Sequence, residues 1–210
     1  MSGVVLGTFF GTRLNLNGDQ GNLLALRRFL EASGIGVEIR PVSNTDEALQ
    51  CNFLILGHGS IAAMDSLQSN LASLDWNRIL ESVPGLAVGS GFEWLAREVL
   101  SVTVSQSEVR VSEFQVAELG SIAALGYRNS DTDLPNLKPY GNFICTMLHG
   151  PLLAKNPTLL QRAAKAAAKS AGVQLKTTAE LTAWIAELNR INGTIWALEA
   201  PEAHFQELSL

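Results

Sequence analysis

Cysteine is scarce in this 210-residue sequence, which holds only Cys51 and Cys145. Two isolated thiols make neither a disulfide framework nor a CxxC metal knuckle, and they read as small buried hydrophobes of a reducing compartment. No Lys/Arg-rich run interrupts a net charge of −5, so a groove that neutralises phosphates is not expected and nucleic acid is not expected as a partner. No stretch reaches the ~18 unbroken apolar residues that span a bilayer, so no membrane insertion is expected. The opening Met1–Phe10 has neither the basic n-region nor the small-x-small site of a signal peptide, and the expected location is the cytoplasm. HExxH, GxGxxG and GxxxxGK[ST] are all missing, so zinc-protease, dinucleotide and P-loop readings lose their support and no metal or cofactor is expected. GxSxG is not matched either, because Val88 stands at its first glycine position.

What is present is a chain with 47% hydrophobic and 17% charged residues, enough to bury one core, with no internal repeat or linker. It is read as one domain over residues 1–210. Val4–Phe10 forms a first strand, Leu14–Asn22 a loop, and Leu23, Leu26 and Leu30 the apolar stripe of a helix that stops at Gly34. Val37–Ile39 is a second strand. Asn52–Leu56 and Leu86–Val88 are short apolar runs, each ended by glycines and followed by a helical pattern, over 61–80 and 92–99. Strand, glycine turn and helix therefore recur three times. That predicts an α/β fold with a doubly wound, mostly parallel sheet flanked by helices and a ligand crevice at the strand C-termini. Val102–Val104, Val109–Val111 and Ile122–Leu125 predict a small antiparallel portion. Residues 129–141 read as a loop, Asn142–Leu148 as a last strand delivering His149, and 159–171 and 179–189 as helices. Trp76, Trp94, Trp184 and Trp196 read as core residues by default, with a contribution to an interface as the alternative.

Chemistry is expected where the strand-end turns Gly57-His58-Gly59, Gly89-Ser90-Gly91 and Leu148-His149-Gly150 converge. His149 and His58 are the candidate bases near neutral pH, since His204 lies in the terminal tail. Taken singly, glycine turns and a strand-end histidine carry little, because every tight βα turn needs permissive backbone.

Together these segments resemble a known family. Leu14–Arg27 resembles the N-terminal loop and helix of the CobB/CobQ-like (cobyric-acid-synthase-like) class I glutamine amidotransferases, within which the GatD-like subunits of lipid II isoglutaminyl synthases are most similar. Phe53–Gly59 is similar to that family's strand and glycine triplet, and Gly126-Tyr127-Arg128-Asn129 to its Gly-Phe/Tyr-Glu-Asn segment. The most specific match runs from Leu148 to Pro157, around the family's catalytic histidine, here His149. The resemblance implies glutamine hydrolysis by a Cys–His pair, in which a thiolate attacks the side-chain amide and ammonia leaves. It also implies that Gly57, His58 and Gly59 lie at the oxyanion donors, that Glu93 and Asn129 line the substrate pocket and that Arg110 grips the amino acid.

The same resemblance exposes a loss. Where the family elbow reads Cys-Gly-Gly-Tyr-Gln, this sequence reads Gly89-Ser90-Gly91-Phe92-Glu93. Gly89 has no nucleophile, and Ser90 stands one position late. Cys145 lies four residues before His149 on the same expected strand, on the same face but more than about 10 Å away at about 3.3 Å per residue. Cys51 falls at the wrong end of the sheet. Glu93 would repel a substrate carboxylate, and the His58 side chain would crowd the oxyanion donors. The expectation is a non-hydrolysing binding or partner-regulating subunit beside a Mur-ligase-like (MurT-type) enzyme of cell-wall metabolism, with glutamine or a related amino acid as ligand. The alternative is an active glutaminase supplying ammonia to a ligase, or a related hydrolase, using Ser90 or a water activated by His149.

Overall fold

The computed structural model describes residues 3–210; Met1 and Ser2, part of the stretch read as lacking a leader, lie outside the described residues. Five strands, β1 (Val4–Phe9), β2 (Val37–Val42), β3 (Phe53–Leu56), β4 (Gly85–Val88) and β8 (Phe143–Thr146), pair in parallel in the order β2-β1-β3-β4-β8. A short antiparallel strand, β7 (Leu137–Tyr140), closes the edge beside β8. β3 and β4 are buried at every position, as parallel strands covered on both faces must be. Helices α1 (Gln20–Ala32), α6 (Leu152–Lys155), α7 (Pro157–Ser170) and α8 (Ala179–Glu199) cover one face around Leu6, Leu26, Phe29 and Leu160. Helices α2 (Thr45–Leu49), α3 (Ile61–Ala72), α4 (Trp76–Ser82) and α5 (Ser90–Glu98) cover the other around Leu56, Leu71, Trp76 and Phe92. A hairpin of β5 (Gln106–Leu119) and β6 (Ile122–Thr132) pairs with the two-residue β9 (Leu148–His149) in a separate antiparallel sheet. The expected fold class is therefore met: a mostly parallel sheet flanked by helices, with a small antiparallel portion. Among the described residues no helix is long and apolar enough to cross a membrane.

Several boundaries differ from those expected. The helix expected over 61–80 is two helices, because the Asp75 carboxylate accepts the Arg78 N–H and starts α4 afresh. The Trp76 indole N–H then donates to the Leu71 carbonyl at 2.8 Å, pinning the second helix to the end of the first. Val102–Val104 precedes the hairpin rather than forming a strand, and β5 starts at Gln106. The stretch 129–141, expected as a loop, supplies the end of β6 and all of β7. β7 tolerates Pro139 because it is an edge strand. The turn between them is wound around the buried Arg128 guanidinium, which donates to the carbonyls of Thr132 and Leu134 (2.9 Å to the latter) and to Asn136 Oδ1.

The largest correction concerns 142–148. The apolar run is not one strand: β8 ends at Thr146, Met147 crosses over, and β9 begins in the other sheet. Thr146 makes the crossing, its hydroxyl donating to the Asn136 carbonyl at 2.7 Å and accepting the Leu148 N–H at 2.9 Å. Cys145 therefore shares no strand with His149. It is fully buried opposite Ala87 and Lys138, and burial pushes its thiol up to about 12. Cys51 is buried before the start of β3, its thiol pushed up to about 11 chiefly by burial. Three of the tryptophans, Trp76, Trp94 and Trp196, are buried, and Trp184 is half-buried against the Phe29 ring.

Asn22, on the first turn of α1, is fully buried and ties this helix to the segment after His149. Its amide donates to the carbonyls of Asp19 (2.9 Å) and Gly150 (3.1 Å), and its oxygen accepts the Leu153 N–H at 2.7 Å. Asn22→Ala leaves the Leu153 N–H buried without its partner and takes one of two donors from each of the Asp19 and Gly150 carbonyls, so urea unfolding should show a loss of about 2 kcal/mol. A loss below about 0.5 kcal/mol, the range of surface substitutions, would mean that the tie is not structural.

Candidate functional site

β3 and β4 are neighbours in the sheet, so the turns that follow them open side by side at their C-terminal ends, and β9 brings His149 to the same place. Residues 14–19 pass directly beneath. A Cβ on Gly57 would stand 2.0 Å from the Leu14 carbonyl oxygen, so only glycine lets the loop approach so closely. The His58 carbonyl accepts the Leu16 N–H at 3.0 Å, and the His58 N–H donates to the fully buried carboxylate of Asp19 at 2.8 Å. Asp19 Oδ1 accepts no hydrogen bond. Burial pushes the Asp19 carboxyl up to about 6, against the pull of the His58 and Gly150 amides.

Gly89 forms the turn between β4 and α5, with φ 54° and ψ −120°. Its N–H donates to the Thr146 carbonyl and its carbonyl accepts the Glu93 N–H, both at 2.8 Å. A Cβ here would lie 2.5 Å from His149 Cε1 and 2.6 Å from His58 Nδ1. The two imidazoles meet edge to face with ring centres 4.5 Å apart, and together they take the space that a side chain at position 89 would need.

Each polar group around this point has a defined state. His58 Nδ1 accepts the Ser90 N–H at 2.9 Å. The Ser90 hydroxyl accepts the Gly59 N–H at 2.9 Å and donates to the Gly59 carbonyl at 3.1 Å, so its proton is already engaged. His149 is buried, and its Nδ1 has no hydrogen-bond partner. Burial first, then His149 and Arg110, holds the His58 imidazole down to about 4. Burial also holds His149 below its ordinary value, with Arg110 and Arg128 adding to the effect and the Asn129 backbone opposing it. Both rings are therefore neutral at neutral pH.

Above the imidazoles lies a cleft of about 390 Å³. Of the residues singled out in the sequence, His58, Gly59, Ser90, Glu93, Arg110, Asn129 and His149 line it. Gly57 and Gly89 lie outside the lining, packed against Leu14 and the two imidazoles respectively. Glu93 is not a free carboxylate, because it pairs with Arg97 one helical turn on at 2.9 Å. Arg110 is braced across the hairpin, its Nε on Asn129 Oδ1 at 2.7 Å and a terminal nitrogen on the Asn129 carbonyl at 3.1 Å. Asp131 faces it at 3.9 Å. Ser130, Asp131, Arg97 and Met147 also line the cleft without having been marked in the sequence. So does the supporting Asp19 escape notice, since an Asn, Asp and Gly-rich loop predicts a turn and not a buried carboxylate. Among the described residues no three His, Cys, Asp or Glu side chains come together as metal ligands.

No family model matches the chain. A curated protein, the lipid II isoglutaminyl synthase (glutamine-hydrolyzing) subunit GatD of Staphylococcus aureus (strain N315), is 23% identical over 188 residues, covering 70% of this chain and 77% of that protein. The sequence likeness is to one component of a glutamine-hydrolysing synthase. Similar solved structures include a GMP synthase protein from Thermoplasma acidophilum, with TM-score 0.49 and 13% identity over 90% of this chain and 99% of that one. The glutaminase domain of Trypanosoma brucei CTPS has TM-score 0.47 and 12% identity, over 84% of this chain and 98% of that one. A glutamine amidotransferase from Thermotoga maritima has TM-score 0.44 and 11% identity, over 93% and 94% of the two chains.

The buried Asp19 makes stability pH-dependent in a definite direction. Its value is raised from 3.8 to about 6 on folding, so its contribution is full below 3.8 and is lost as pH rises through 6. Between pH 5 and pH 7 the native protein should lose about 1 kcal/mol relative to Asp19→Asn, measured by urea unfolding of both at each pH. Parallel pH profiles for the two proteins would show that Asp19 ionises normally.

Proposed function

We propose that this chain is a glutamine-amidotransferase-type protein that has given up glutamine hydrolysis and works as a binding or partner-regulating subunit, beside a Mur-ligase-like (MurT-type) enzyme of cell-wall metabolism. One observation carries this reading: position 89, at the strand-to-helix turn, is glycine, and His58 and His149 fill the space of its missing side chain. The unpartnered His149 Nδ1 beside it is what remains when a thiol or hydroxyl donor is lost from that turn. The likeness to GatD supports the choice of family and, through what that protein's name says of its assembly, the choice of a ligase partner.

In this reading the cleft holds L-glutamine or a related amino acid without cleaving it. Arg110, braced by Asn129, supplies the positive charge for the ligand's carboxylate. Glu93 is neutralised by Arg97 and so does not repel that carboxylate. Ser90 is a weak candidate for replacing the thiol, because its hydroxyl is held by both backbone groups of Gly59. A nucleophile must be free to approach a carbonyl carbon and pass its proton to a base.

Isothermal titration with L-glutamine, paired with a glutamate-release assay on the same protein alone and with its ligase partner, tests the reading. The expected result is binding heat with no glutamate, unchanged in Ser90→Ala. Turnover abolished by His149→Ala would overturn it in favour of an active amidotransferase.

A further inference from the structure

We propose that Asn17-Gly18 is a self-modification site, at which the chain converts Asn17 to an isoaspartyl link and so releases the backbone of His58 from the loop that grips it. The dipeptide occurs twice in the sequence, here and at Asn192-Gly193. In such a pair the glycine nitrogen attacks the asparagine Cγ and gives its proton to water; the Cγ–Nδ2 bond breaks, ammonia leaves and a succinimide ring remains. Glycine permits this because it has no Cβ to hinder its nitrogen or restrict its backbone. Water then opens the ring. Cleavage of the bond from the nitrogen to Cγ gives aspartate. Cleavage of its bond to the backbone carbonyl carbon gives isoaspartate, with one methylene more in the main chain. Overall one water enters and one ammonia leaves.

The two sites differ in what holds them. Asn17 and Gly18 are both exposed. Gly18 has φ 76°, and its N–H donates to the Asn15 carbonyl at 3.2 Å, the long end of the hydrogen-bond range. The other asparagines of this segment are occupied, since Asn15 Oδ1 accepts the Gln20 N–H and Asn22 Oδ1 the Leu153 N–H. The Asn17 side chain has no hydrogen-bond partner among the described residues, and is free to turn toward the Gly18 nitrogen. Asn192 is the opposite case. It lies inside α8, is 2% exposed, and its amide donates to the carbonyls of Ala154 and Leu188 at 3.0 and 2.9 Å. There the ring cannot close until the helix opens.

The place of the reactive pair gives the change its effect. Asn17-Gly18 is the whole span between two grips on a single residue. On one side the Leu16 N–H donates to the His58 carbonyl at 3.0 Å, and on the other the Asp19 carboxylate accepts the His58 N–H at 2.8 Å. The span is packed as well, with the Asn17 carbonyl oxygen 3.6 Å from where a Cβ on Gly150 would stand. An added methylene between two grips on the same residue forces one of them open. The tie that opens is the one that sets the root of His58.

The experiment uses the full folded chain, wild type and Asn17→Ser, aged at mildly alkaline pH. Trypsin then places the two dipeptides in separate fragments, 14–27 and 191–210. Loss of the amide is read by mass, and isoaspartate by enzymatic carboxyl methylation of each fragment. Isoaspartate should accumulate in fragment 14–27 of the wild type about 100-fold faster than in 191–210, whose helix must open first. Fragment 14–27 of Asn17→Ser should show none. An unchanged 14–27 fragment in the wild type, or equal rates in the two fragments, would overturn the proposal. The second readout is hydrogen exchange of the Leu16 and His58 amides by NMR. At least one of the two should exchange about tenfold faster in aged wild type, as the loss of a hydrogen bond requires, and neither in aged Asn17→Ser. Both amides keeping their protection after conversion would overturn the release, as would equal loss of protection in Asn17→Ser. Neither readout involves glutamine, so the outcome is independent of whether the cleft cleaves it.

Discussion

The contact on which the site depends is the passage of residues 14–19 beneath the end of β3. The Leu14 carbonyl sits where a Cβ on Gly57 would be, and the Asp19 carboxylate catches the next backbone N–H along. This fixes the root of His58. Asn22, a few residues further along the same segment, catches the Gly150 carbonyl and so fixes the residue after His149. One loop and the first turn of one helix therefore set both imidazoles against Gly89. The cost is a carboxylate buried with one oxygen unpaired.

Charge in the cleft is paired in part, with the Asp65 and Glu98 carboxylates lining it outside the ion pairs found among the described residues. Glu93 is matched by Arg97, and Arg110 by Asn129 and Asp131, while both histidines are held neutral by burial. Exposed pairs of this kind contribute little to stability. Their effect is to hold the Glu93, Arg97 and Arg110 side chains in place.

Much of this architecture was legible in the sequence, for identifiable reasons. Phe53–Leu56 and Leu86–Val88 are apolar without interruption, are of strand length and end in glycine, which is how a doubly buried parallel strand must read. The same signal misled at 142–148, where two short strands of different sheets abut and the apolar pattern does not break at Met147. β7 was hidden because Lys138 and Pro139 belong to an exposed edge. The break between α3 and α4 had its cap in Asp75, but the apolar spacing ran through it. In the site, the glycine turns and His149 were visible because their chemistry is carried by residue type. Asp19 was not, because its burial arises from a loop approaching a strand 39 positions away in the chain.

The crossing at Met147 has a mechanical consequence. His149 belongs to β9, which pairs with Tyr127 and Arg128 of the long hairpin, while the residues just before it belong to the central sheet. The hairpin also carries Arg110 and Asn129, and its outer strand is exposed over its first half, next to the cleft, and packed inward toward its turn. The turn end of the hairpin is fastened to the core through Leu119 and Ala124, and its open end, residues 106–110, stands exposed at the cleft. His149 is thereby held by a different sheet from the one that holds Gly89 and His58, and the two walls of the cleft are built on separate frames.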